Sequence, residues 1–136
     1  MDLQLANKVF IVTGGAKGIG AAISKTIAAE KGIVLIAGRK KADNQAIVDE
    51  IVKSGGKAAS VAVELAKPEA CKEVIDFTVE KYGRIDGLVN NAGVNDGVGL
   101  ERGTPESFME SLQKNLSHYY NLAHYALPHL KSTKGS

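Results

Sequence analysis

A single cysteine, Cys71, occurs among the 136 residues, which excludes an internal disulfide framework and fits a reducing compartment. Neither sign of charge is in excess. Seventeen Lys and Arg against fifteen Asp and Glu leave a net charge of +2, too weak a field to argue for nucleic acid or a membrane surface. Apolar runs are too short to span a bilayer. The first eight residues, Met1 to Lys8, lack the basic segment and long apolar run of a signal peptide. His118, His124 and His129 are spaced wrongly for paired metal ligation on one helix face, so no metal is expected and the three read as surface or interface residues. What remains is a soluble, cytoplasmic chain of one ordinary domain, 44% hydrophobic and able to build a core.

Strand and helix signals alternate along the chain without a linker or an internal repeat. Val9 to Thr13 reads as a buried strand, and Ile19, Ile23 and Ile27 mark one face of the helix that follows. Gly32 is expected to end that helix, before a second apolar strand, Ile33 to Ala37. Asp43 is expected to cap a helix bearing Ile47, Val48, Ile51 and Val52, which stops at Ser54-Gly55-Gly56. Ala58 to Val63 is the third strand. Pro68 opens a helix closed by Gly83, with Cys71 in its apolar stripe as buried filler, and Ile85 to Asn90 is the fourth strand. Thr104-Pro105-Glu106 supplies a cap, a first-turn proline and a negative charge for a last helix running towards Pro128, with a loop from Lys131 to Ser136.

This alternation predicts an α/β fold: a doubly wound parallel sheet with strands ordered 3-2-1-4 and a ligand crevice at the carboxyl ends of strands 1 and 4. Between the first strand and its helix lies Thr13-Gly14-Gly15-Ala16-Lys17-Gly18-Ile19-Gly20. A glycine turn feeding a helix N-terminus presents backbone N–H groups and a positive dipole end to a phosphate. The same turn also suits a tight connection without a ligand.

Read with Asn90-Asn91-Ala92-Gly93 after the fourth strand and Asn115 in the following helix, the turn resembles the short-chain dehydrogenase/reductase family, of which the chain aligns with the N-terminal half. The resemblance implies a dinucleotide-binding Rossmann domain over 1–136, incomplete at its C-terminal end. It places Gly14, Lys17, Gly18 and Ile19 around the adenosine ribose and pyrophosphate. Glu64 and Leu65 stand where relatives more often carry Asp-Val, at the adenine amino group. Asn91, Ala92 and Gly93 pass the adenosine side of the cofactor, although Asn90 or Asn91 alternatively ties neighbouring strand ends together. Asn115 matches the asparagine of the family's Asn-Ser-Tyr-Lys catalytic tetrad, where it holds a water of the proton relay. The other three members lie beyond position 136 in relatives, so the 136 residues alone are expected to be inactive. A homo-oligomer, dimer or tetramer, is implied for the full-length protein.

An NAD-selecting site needs a carboxylate at the end of strand 2. Gly38 stands there, followed by Arg39-Lys40-Lys41. The Arg39 fork suits a 2′-phosphate, and Lys17 offers a second charge, so NADP is the expected cofactor with NAD tolerated. A solvated basic turn is the plainer reading of the same residues. The polar loop after strand 4 contains Asn95 and Asp96, which suit hydroxyl recognition, or else form a turn with an Asx cap. That loop and the helix after it look most like the family's sugar dehydrogenases, L-fucose dehydrogenases above all. The expected function is hydride transfer between a nicotinamide cofactor and a small hydroxyl or carbonyl substrate such as an aldose. A 3-oxoacyl thioester reductase, and a non-catalytic nucleotide-binding regulator, are the alternatives.

Overall fold

A computed structural model describes residues 2–136. Four strands, β1 (Val9–Thr13), β2 (Ile33–Gly38), β3 (Lys57–Ala62) and β4 (Gly87–Val89), form one parallel sheet in the order β3-β2-β1-β4. This is the expected order. Five helices cover it: α1 (Gly18–Ala29), α2 (Lys41–Lys53), α3 (Pro68–Tyr82), α4 (Pro105–Leu112) and α5 (His118–Thr133).

The apolar runs of β1 and β2 are continuous because both faces are covered. Ile11, Leu35 and Ala37 point to a core shared with Cys71, Val74 and Ile75 of α3 and Leu122 and Ala126 of α5. Val12, Val34 and Ile36 point the other way, against Ile27 of α1 and Ile47, Val48 and Ile51 of α2. None of the helices described is long and apolar enough to cross a membrane.

Several local expectations are corrected. The left-handed residue after α1 is Lys31 (φ 66°), not Gly32. Gly32 is needed for closeness instead, since a Cβ there would lie 2.6 Å from the Ile27 side chain. Helix α2 starts at Lys41, so Asp43 falls in its first turn and caps nothing; its carboxylate is held by Lys17. Strand β4 is only three residues long, and Ile85 and Asp86 lead into it.

The last helical region also differs. It opens on the expected Thr104 cap, which Ser107 completes into a capping box. It then passes through one π-helical segment, Gln113–Ser117, and continues past Pro128. Proline frees the carbonyl four residues back, and both Pro128 and His124 are exposed, so water can satisfy that group. Residues 131–133 are helical rather than loop. Beyond them Ser136 pairs with the outer edge of β4: its N–H donates to the Asp86 carbonyl (3.1 Å) and its carbonyl accepts from Leu88 (2.9 Å).

Candidate active site

A cleft of about 780 Å³ opens at the carboxyl ends of the strands, where the crevice of such a sheet is expected. Its floor is the turn after β1. Gly14 (φ 62°) and Gly18 (φ 50°) hold backbone angles that other residues rarely adopt. Gly20, the first buried residue of α1, has a different reason to be glycine. A Cβ there would meet the Gly14 carbonyl oxygen at 2.2 Å and Asn91 Nδ2 at 2.6 Å.

The turn is locked from behind by the end of β4. Asn91 Nδ2 donates to the Thr13 carbonyl (2.9 Å) and the Gly14 carbonyl (3.4 Å), so Asn91 ties the two strand ends together. Of the two readings open for this asparagine, the structural one describes its side-chain contacts. Asn90 Nδ2 reaches the Tyr119 carbonyl at 3.3 Å, while its Oδ1 is buried without a partner. Asn91, Ala92 and Gly93 nevertheless line the cleft, as do Gly14, Lys17, Gly18 and Ile19.

At the end of β2 stands Gly38. A Cβ built on it would lie 2.7 Å from Asn44 Oδ1. Asn44 is buried and donates to the Gly38 carbonyl (2.9 Å) and the Val61 carbonyl (3.3 Å), tying β2 to β3. A carboxylate at position 38 therefore has no room unless Asn44 moves. Sequence reasoning missed this asparagine; the one available signal was a polar residue within an amphipathic helix. Beside Gly38 the rim carries exposed Arg39 and Lys40. Lys17 also lies on the rim, but its Nζ is paired with Asp43 Oδ2 at 2.9 Å.

Glu64 and Leu65 also line the cleft. Leu65 is buried, and exposed Glu64 accepts from the Ala66 N–H through Oε1 (3.3 Å). His118 also lines the cleft and corrects the expectation of a surface or interface histidine: it is 2% exposed. Its Nε2 lies 3.0 Å from the Lys114 carbonyl, which makes Nε2 the protonated nitrogen and leaves Nδ1 an acceptor, buried and unpaired. Burial pushes the imidazole below its ordinary pKa of 6.5, against the pull of the Lys114 carbonyl and the Glu64 charge.

Asn115 sits in the π-helical segment, outside the lining of the cleft. Its Oδ1 accepts from the Val94 N–H at 2.7 Å and its Nδ2 donates to the Ser111 carbonyl at 3.1 Å. The side chain thus pins the start of the loop that follows β4. Asn95 and Asp96 lie farther along that exposed loop and do not line the cleft. Asn95 Oδ1 accepts from Gly97 (3.2 Å), an Asx turn, and Asp96 Oδ1 accepts from Ser111 Oγ (3.1 Å).

These residues fit a dinucleotide. Nothing lies within 4 Å of a Cβ position at Gly18, so the turn leaves open space at the mouth of α1. The helical ladder begins with the Ala21 N–H on the Lys17 carbonyl, which leaves the preceding N–H groups for an anion.

Comparison with known proteins agrees. The family model described as short chain dehydrogenase matches residues 8–136, and the chain belongs to that family. It is 38% identical over 137 aligned positions to a 7alpha-hydroxysteroid dehydrogenase of Bacteroides fragilis, covering 97% of this chain and 52% of that protein. It is 33% identical to the L-fucose dehydrogenase of Oryctolagus cuniculus, covering 98% of this chain and 46% of that one. Among solved structures it resembles a metagenomic short-chain oxidoreductase in complex with NADP, with a TM-score of 0.89 and 32% identity over 97% of this chain and 60% of that chain. The chain spans about half the length of the curated relatives it matches.

Proposed function

We propose that the full-length protein transfers hydride between NADP and a hydroxyl- or carbonyl-bearing carbon of a small molecule. The observation that carries the cofactor choice is the end of β2. Gly38 offers no carboxylate to a ribose 2′-OH, Asn44 fills the space one would need, and Arg39 stands free on the rim. When bound, the nicotinamide supplies or accepts the hydride. The residues of this chain do the rest of the binding: the α1 N-terminus and glycine turn take the pyrophosphate, and Arg39 takes the 2′-phosphate. Glu64 and Leu65 take the adenine, and Asn91, Ala92 and Gly93 flank the adenosine. Asn115 serves the proton relay of the family tetrad by position, and its hold on Val94 keeps the loop over the reacting end in place.

The test is a binding titration of NADPH and NADH on the full-length protein and its Arg39→Asp variant. A like charge beside the 2′-phosphate weakens NADPH selectively, by about 10-fold or more, and leaves NADH nearly unchanged. Equal losses for both overturn the assignment of Arg39.

The finer reading of the substrate is an aldose such as L-fucose, bound through Asn95 and Asp96. The similarity to a rabbit L-fucose dehydrogenase and the polarity of the 94–101 loop support it. Assembly into a homo-oligomer belongs to the same proposal, and the exposed Phe108, Met109, Leu116 and Tyr120 along α4, the π-helical segment and α5 support it.

A further inference from the structure

Resting on the NADP reading above, we propose that Asp43 sets how strongly the cleft prefers a 2′-phosphorylated nucleotide, because its carboxylate competes with the phosphate for Lys17. Three cations stand on this part of the rim, Lys17, Arg39 and Lys40, with one carboxylate among them. That carboxylate is already engaged: Lys17 Nζ to Asp43 Oδ2 is 2.9 Å. The bridge joins the glycine turn before α1 to the first turn of α2, across the rim where Arg39 is exposed.

The two partners are not equally free. Asp43 is one-third exposed and sits in the first turn of α2, where the helix dipole favours its charge. Lys17 is 69% exposed on a long, flexible stem. A dianionic phosphate arriving beside Arg39 therefore draws Lys17 away from Asp43 or shares it. In either case it approaches a fixed negative charge. The bridge itself is exposed and weak, so Asp43 gives little in orienting Lys17, and the like-charge effect dominates. A nucleotide without the 2′-phosphate presents no charge there and is indifferent to Asp43. On this basis Asp43 narrows the gap between NADP and NAD that Arg39 opens.

The experiment measures binding of 2′,5′-ADP and 5′-AMP to the full-length protein and its Asp43→Asn variant, by calorimetry at low and at physiological salt. These probes isolate the rim from turnover. Asp43→Asn tightens 2′,5′-ADP by about 3- to 10-fold and moves 5′-AMP by less than about 2-fold. The gain shrinks as salt rises. Asp43→Glu, which keeps the charge, stays close to the parent protein. Unchanged or weaker 2′,5′-ADP binding in Asp43→Asn, with normal 5′-AMP binding, overturns the competition while leaving the cofactor reading intact. Failure of the parent protein to bind either probe overturns the cofactor reading and this inference with it.

Discussion

Thr13 holds Asn91 by both its side chain and its backbone: the Thr13 hydroxyl accepts the Asn91 backbone N–H at 2.9 Å, and its carbonyl accepts Asn91 Nδ2 at 2.9 Å. The same hydroxyl accepts the Ala92 N–H (3.0 Å) and donates to the Val89 carbonyl (3.3 Å). One buried oxygen therefore uses its whole hydrogen-bonding capacity to join the ends of β1 and β4.

Thr13→Val keeps the shape and the β preference but strands two N–H groups. The expected loss is about 2–4 kcal/mol of stability, since each unsatisfied buried donor costs about 1–3 kcal/mol. Denaturant unfolding of the full-length protein checks it. A variant as stable as the parent shows that water reaches those N–H groups.

Gly20→Ala places a methyl against backbone rather than against a movable side chain tip. It is expected to destabilise by about 1–3 kcal/mol or more and to abolish nucleotide binding, because the turn must open to make room. Gly55→Ala is a useful contrast. Nothing lies within 4 Å of its Cβ position, and its cost is limited to its positive φ. Thermal melts of both, with and without NADPH, separate the two effects.

Asp86 is buried. It accepts from the Val9 N–H (2.9 Å) and from Arg84 through two bonds (2.7 and 2.6 Å). Burial alone raises a carboxyl pKa, but here Arg84, the Val9 N–H and the Lys8 charge outweigh it and hold the group below its ordinary 3.8. Its contribution to stability is thus fully present above that value and is lost as pH falls through the lowered pKa. Asp86→Asn is expected to cost about 1–3 kcal/mol near neutrality and to flatten the acid limb of the stability curve. An unchanged acid limb overturns the assignment.

His118 gives a second pH dependence in a higher window. Its folded-state pKa is lowered, so the unfolded chain binds the proton first. Stability from this group is complete above about 6.5 and falls as pH drops below it. His118→Gln removes this slope below pH 6.5, read from urea midpoints as a function of pH. A slope that persists in the variant places the titration elsewhere.

The finer substrate reading has its own test. Asp96→Ala in the full-length protein is expected to lower kcat/KM for L-fucose by about 10-fold or more while NADPH binding is unchanged, as a hydroxyl-recognising group is lost. Equal turnover by variant and parent removes Asp96 from the substrate site.

The sheet was legible because β1 and β2 are short, unbroken apolar runs with glycine punctuation, a pattern that depends only on local sequence. The cleft floor was legible for the same reason: Gly14, Gly18 and Gly20 sit at fixed offsets from a strand. What escaped depends on contacts between distant residues. Asn44 is buried where β2 and β3 end beside it, and His118 is buried with its Nε2 on the Lys114 carbonyl of the preceding π-helical segment. Asp43 has the chemistry of a helix cap, yet Lys17, 26 positions earlier by their numbering, holds its carboxylate. Pro128 misled because α5 continues past it, with the carbonyl that it frees, on exposed His124, open to water.

The double attachment of the glycine turn to the end of β4 has a consequence for how cofactor preference can change. The floor of the cleft is shared property of two strands, and altering it disturbs the sheet. The rim is not. Lys17, Arg39, Lys40 and Asp43 hang from exposed or half-exposed positions that bear little of the fold's stability. Selection can therefore retune the charge that meets the ribose one side chain at a time, while the cradle that receives the pyrophosphate stays unaltered.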